Sequence, residues 1–154
     1  MREFDKFCNN IEKMSKSDLD AAIARDAPRA LVGLTKLTNG DVEKGLALLS
    51  GAAMAAASVD GKLHHDEYRQ INSCVSAWTG HKENAYTFDE VKALVEEIVD
   101  MKTNNFDDVK AMYVALARVD EEGSIAFICF LAEMIAVDGD ASWKERKWLK
   151  AVFE

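Results

Sequence analysis

Two long, nearly uncharged stretches constrain this chain more than any other feature. Gly45 to Val59 carries no charge at all, and Ser124 to Val137 carries one, Glu133. A helix that is apolar on every side has to be surrounded by other helices, so each stretch predicts a buried central helix. Their many small residues let neighbouring helices approach closely. Both stretches stop at the same tripeptide, Val59-Asp60-Gly61 and Val137-Asp138-Gly139. In both, a glutamate follows the Asp by seven positions: Glu67 and Glu145.

The rest of the chain also reads as helix. Phe4, Phe7, Ile11 and Met14 recur every three or four residues, predicting a helix from Arg2 to about Lys16. Ser17, with Asp18 and Asp20 behind it, predicts a new start. Pro28 predicts a break near Arg25, because proline has no amide hydrogen and is costly in a helix interior. Asp26 would then cap a fresh helix through Leu31, Leu34 and Leu37 to a stop at Asn39-Gly40. Asp41 caps the next helix. Tyr68, Ile71, Cys74, Val75 and Trp78 form a further stripe, and Thr87 with Glu90 is a capping box by sequence. Asn105 and Asp108 repeat a cap before the stripe Phe106, Val109, Met112, Tyr113 and Leu116. Trp148, Leu149, Val152 and Phe153 close the last helix.

The halves echo each other. A shift of 78 residues places Asp60 on Asp138, Gly61 on Gly139, Glu67 on Glu145 and Arg69 on Lys147. The predicted fold is a single all-α domain of seven to eight helices, with internally duplicated helical hairpins around two buried central helices.

Composition narrows the function classes. With 154 residues the chain is one domain by default. Its net charge of −8 argues against a nucleic-acid partner, since phosphate neutralisation needs clustered Lys and Arg. The longest uncharged run is too short for a membrane span, so no membrane insertion is expected. Cys8, Cys74 and Cys129 lie far apart among apolar residues, which predicts reduced thiols in a cytoplasmic protein. The N-terminus lacks the apolar region of a signal peptide. There is no nucleophile–base arrangement, Gly-rich phosphate loop or dinucleotide fingerprint, so a non-enzymatic protein is expected.

The doubled motif is the one candidate for chemistry. Gly61 and Gly139 suit a helix end, where glycine enters the left-handed conformation without strain. Ser142-x-x-Glu145 is a capping box by sequence. The aspartates are harder to explain structurally, because a carboxylate at a helix C-terminus opposes the dipole by about 0.3–1 kcal/mol. If the hairpins pack about a pseudo-two-fold axis, Asp60, Glu67, Asp138 and Glu145 converge. Four close carboxylates repel unless neutralised, and such oxygen clusters suit hard divalent ions, Ca²⁺, Mg²⁺ or Mn²⁺. Capping and loop bracing is the competing reading of the same residues.

Asp-Gly-x-x-x-x-x-Glu in two copies, each after an Ala-rich apolar helix, resembles the signature of TerB-like proteins, associated with tellurite resistance. The resemblance covers roughly Leu46 to Glu154. It implies an all-α domain over 1–154, with an N-terminal helical extension (1–40), a first motif repeat (41–80), connecting helices (87–120) and a second repeat (121–154). It also implies a metal site at Asp60, Glu67, Asp138 and Glu145, and a role in metal stress. Protein partners in multi-protein assemblies, including membrane-associated ones, are implied too. The first-copy link departs from the pattern, with Lys62, His64 and His65 in place of a more acidic or neutral stretch.

Other residues carry less. Asp138-x-Asp140-x-Ser142 imitates the start of a calcium loop, but its glycine falls at the second position and Leu149 stands at the twelfth, so it is not an EF-hand. His64 and His65 read as solvated loop rather than zinc ligands. Glu133, costly in an apolar helix, is expected to pair with a Lys or Arg of another helix, or else to face the acidic cluster. Lys144, Arg146, Lys147 and Lys150 make the last helix basic. The expected function is binding or sensing of a divalent metal, and the alternative is a helical protein–protein adapter whose acidic motifs are only caps.

Overall fold

The computed structural model of the chain describes residues 2–59, Arg69, 106–137 and 143–153. Among these residues it is all-helical, with six helices and no strand. They are α1 (Arg2–Glu12), α2 (Lys16–Leu37), α3 (Val42–Ser58), α4 (Phe106–Val119), α5 (Glu121–Ala136) and α6 (Trp143–Phe153). Apart from Arg69, the helices expected around Tyr68–Trp78 and after Thr87 lie outside the described residues.

Local chemistry explains most of the boundaries. Three helices begin at a side-chain oxygen that accepts a backbone N–H three residues on: Ser15 from Asp18, Asp41 from Lys44, and Asp120 from Gly123, each at 3.1 Å. The α2 cap is therefore Ser15, and Ser17 falls in the first turn. Likewise α5 starts at Glu121 behind Asp120, a turn earlier than Ser124. The Asn39-Gly40 stop behaves as expected. Both residues take positive φ, 56° and 86°, and the Gly40 amide donates to the Thr35 carbonyl at 2.9 Å.

Pro28 does not break the chain. α2 is one helix from Lys16 to Leu37 with Pro28 inside it, and Asp26 caps nothing. The cause is tertiary. Leu19, Ile23, Leu31 and Leu34 are all buried, two on each side of the proline. Burying four such side chains contributes on the order of 6–12 kcal/mol as an upper figure. An interior proline costs about 3 kcal/mol. Burial wins.

At the centre stands α5, in which every residue from Ala126 to Ala136 is buried except the half-buried Cys129. Its most extensive partner is α2, and α1, α3, α4 and α6 also pack on it. The second uncharged helix is less enclosed. α3 buries Leu46, Leu49, Ala52, Ala53, Ala55 and Ala56, while Ala47 is exposed and Leu48, Gly51 and Met54 are half-buried. Lack of charge there reflects small residues as well as a central position.

Close approach of α2 to α5 depends on two glycines. A Cβ on Gly33 would lie 3.5 Å from the Gly123 Cα and 2.7 Å from Leu116 Cδ1. At the other end of the bundle, α1 and α6 are joined by Arg146, which donates to both carboxylate oxygens of Glu12 and, at 3.1 Å, to Asn9 Oδ1. Rings reinforce this contact: Phe4 lies 6.1 Å from Phe153, which stacks on Tyr113 at 6.1 Å. Lys110 of α4 donates to the Ala151 carbonyl in the last turn of α6 at 2.8 Å, a favourable place for a cation.

Candidate metal centre and the buried carboxylates

The two uncharged helices end in nearly the same way. Val59 closes α3 at φ −61°, ψ −39°, and Val137 closes α5 at φ −59°, ψ −31°. In each, the valine amide donates three residues back, to Ala56 or Met134, at 3.4 Å. Neither helix has a basic residue in its last turn. In sequence, an aspartate follows each valine directly.

Of the four carboxylates nominated as ligands, Asp60, Glu67 and Asp138 lie outside the described residues, as do His64, His65 and Ser142. Glu145 is described. It sits in the first turn of α6, where a carboxylate complements the helix dipole. Its side chain is 1 % exposed, and it is not isolated from polar or charged neighbours. A buried oxygen donor at this point suits a divalent ion and suits a cap equally well. Among the described residues, no group of three or more His, Cys, Asp or Glu is arranged to hold a metal.

Two other buried carboxylate systems stand out, and sequence reasoning identified neither. The first is centred on Asp120. Arg29 of α2 grips it with two 2.7 Å hydrogen bonds, one to each oxygen, and Lys36 donates to Oδ2 at 3.3 Å. The Gly123 amide supplies a fourth bond as the α5 cap. Arg29 hydrogen bonds, outweighing the opposing effect of burial, hold the Asp120 carboxyl well below the usual range, helped by Gly123 and Lys36. Asp120-x-x-Gly123 is a visible cap pattern, but nothing in the sequence joins position 29 to position 120.

The second system is the pair Asp26–Glu133, across the α2–α5 contact. Glu133 is 2 % exposed and Asp26 is buried beside it. Sequence pairs Glu133 with a Lys or Arg of another helix; among the described residues no such ion pair forms, and the cation that acts on it is Arg25 of α2. Asp26 of α2 and, with opposite effect, Arg25 act electrostatically on its carboxyl. Arg25 binds Asp26 in a bidentate manner, with Nε on Oδ1 and Nη2 on Oδ2 at 3.1 Å each. Burial, followed by the contact with Asp26, pushes Glu133 up to about 9. Among the described residues, Glu133 Oε1 has no hydrogen-bond partner. Cys129, one turn back on α5, is pushed up to about 11 by burial and then by Asp26 and Glu133, so it remains a thiol. Cys8 is likewise free and raised by burial. Cys74 lies outside the described residues.

An apolar groove of about 270 Å³ runs between α1, α5 and α6, lined by Phe4, Phe7, Ile125, Ile128, Cys129 and Phe153. Ile125 and Phe153 are exposed at its edge. No described helix is long and apolar enough to cross a membrane. Comparison of the chain with protein-family models, curated proteins and solved structures finds no match.

Proposed function

We propose that the chain is a non-enzymatic module that binds or senses a divalent cation through its doubled Asp-Gly-x5-Glu motif. The observation that carries this reading is the paired termination of α3 and α5. Two apolar helices close with matching dihedrals and no basic residue, immediately before Asp60 and Asp138. By sequence each aspartate follows the last residue of a helix, a position the dipole disfavours, and a shared cation would remove that cost at both places. Glu145, buried in the following helix, would be a third oxygen ligand and Glu67 the fourth. Hard, oxygen-preferring ions fit this donor set: Ca²⁺, Mg²⁺ or Mn²⁺. Seven to eight helices in duplicated hairpins, and the likeness to TerB-like proteins in metal or tellurite stress, belong to the same reading. A cytoplasmic location and protein partners in larger assemblies follow from that likeness.

Calorimetric titration with Ca²⁺, Mg²⁺, Mn²⁺ and Zn²⁺ tests it. Binding tighter than about millimolar, equivalent to roughly −4 kcal/mol, is expected for one of the oxygen-preferring ions. The double variant Asp60→Asn/Asp138→Asn is expected to abolish it. Unchanged binding in that variant, or none in the native chain, overturns the reading.

The second reading is a helical adapter in which the acidic motifs only cap helices. Exposed Ile125 and Phe153 beside the apolar groove favour it. Under this reading Asp60→Asn lowers the melting temperature by the same amount with and without a chelator. A chelator-dependent difference rejects it.

A further inference from the structure

We propose that the apolar groove between α1, α5 and α6 binds a small organic cation, a quaternary ammonium group on a short apolar chain. Phe4, Phe7 and Phe153 all line it. The Phe4 ring lies 6.2 Å from Phe7 at an angle of 45° and 6.1 Å from Phe153 at 42°. Rings inclined in this way form an angled wall rather than a flat stack. The face of each ring is negative. Clustered aromatic rings are the recurring device for recognising a quaternary ammonium ion, which sits over those faces. Glu3 lines the same groove and is the one charged residue among the described lining residues, a carboxylate of the required sign.

The wall is held in place before any ligand arrives. Phe4 is buried, Phe7 is half-buried, and Tyr113 of α4 stacks behind the exposed Phe153 at 6.1 Å. Preorganisation of this kind removes part of the cost of binding. Ile125, Ile128 and the Cys129 thiol complete an apolar floor that suits methyl groups and a short chain. A metal ion or a primary ammonium would lose its hydration there with only Glu3 to replace it. The volume, about 270 Å³, falls just below the range of about 300–1,000 Å³ usual for drug-sized ligands, so the occupant is small. Ile125 and Phe153 are exposed at the edge, where a ligand enters, and the chain's net charge of −8 attracts cations to it. The site stands independently of the divalent-ion reading, because Glu145 is not among its lining residues. Its test is run with chelator throughout.

Choline and its uncharged isostere dimethylbutanol (a tert-butyl group in place of trimethylammonium) separate charge recognition from the filling of an apolar groove. Carbon–proton NMR of the Ile125 and Ile128 methyl groups reads the site directly, with sodium chloride at matched ionic strength as control. Choline is expected to move both sets of signals saturably and to bind about tenfold tighter than the isostere. Glu3→Gln and Phe153→Leu each remove one part of the site at an exposed position. Each should weaken choline by about three- to tenfold and leave the isostere nearly unchanged. Equal binding of choline and the isostere, unmoved Ile125 and Ile128 signals, or unchanged choline binding in either variant overturns the proposal. A trimethyl-lysine peptide that binds about tenfold tighter than choline would assign the groove to a protein tail and overturn the small-molecule assignment. Should Phe153→Leu fail to fold, the two ligands on the native chain and Glu3→Gln decide.

Discussion

Asp120 is the residue whose loss should cost most for its size. It caps α5, receives a bidentate arginine from α2, and is nearly inaccessible to solvent. Removing it leaves a buried amide and a part-buried guanidinium without their acceptor, so Asp120→Ala should lose about 2–4 kcal/mol. Asp120→Asn keeps a capping oxygen and should lose less. Urea unfolding measures both. Because its folded pKa is depressed, the stability Asp120 confers is present above the ordinary aspartate value of 3.8 and is lost as pH falls below it. Gly123 offers a sharper test. Alanine usually favours a helix over glycine by about 0.5–1 kcal/mol. Here the new Cβ would sit 2.7 Å from Asp120 Oδ2, an atom held in place by Arg29 and Lys36. Gly123→Ala should therefore destabilise, by about 1–3 kcal/mol, and a stabilising result would show that the Asp120 network yields easily.

Helix starts and stops show how far sequence carries. Asn39-Gly40, Asp41 and the stripe of α1 were legible because each depends on residues within one turn of the chain. Ser15 takes the cap expected at Ser17, and Asp120 starts α5 a turn before the uncharged stretch begins at Ser124, since several capping residues compete at each start. Pro28 departs from its expected break for a different reason: local chemistry says stop, but a buried stripe shared with α5 says continue. Arg29–Asp120 spans 91 positions and Arg146–Glu12 spans 134, separations at which no pattern in the sequence operates. Of the candidate site, the motif spacing and the first-turn position of Glu145 are legible, whereas its burial is not, because a first-turn glutamate is as readily solvated as enclosed. The carboxyl pair Asp26–Glu133 was not, because Asp26 looked like a cap and Glu133 like half of an ion pair. If tertiary burial carries α2 past its proline, Pro28→Ala should restore one helical hydrogen bond without disturbing the seam. The expected gain is about 1–3 kcal/mol, read as a higher urea midpoint at unchanged slope. A loss would mean that the half-buried ring contributes more by packing than it costs in the backbone.

At the scale of the whole molecule, the two carboxylate systems shape stability in opposite directions along the pH axis. Asp120 weakens the fold only on the acid side of about 3.8, whereas Glu133 weakens it progressively from about 4.5 to about 9. Net charge acts in the same sense as Glu133: the chain carries −8 at neutrality and has a sequence pI near 4.9, so self-repulsion grows above mild acidity. Stability of the metal-free chain should then peak at mildly acidic pH, about 4 to 5, rather than at neutrality. From pH 5 to pH 8 it should fall steadily, because Glu133 holds its proton more tightly in the folded chain. Urea unfolding at half-unit pH steps, with chelator present, gives the profile. Glu133→Gln should flatten the neutral-to-alkaline limb and leave the acid limb in place, and Asp120→Asn should do the reverse. The sites lie at opposite ends of α5, Asp120 before its first turn and Glu133 in its last. Their effects should therefore add in the double variant to within about 0.5 kcal/mol. A larger deviation would mean that α5 transmits strain along its length, so that a proton lost at its C-terminal turn is felt by the arginine clamp at its N-terminus.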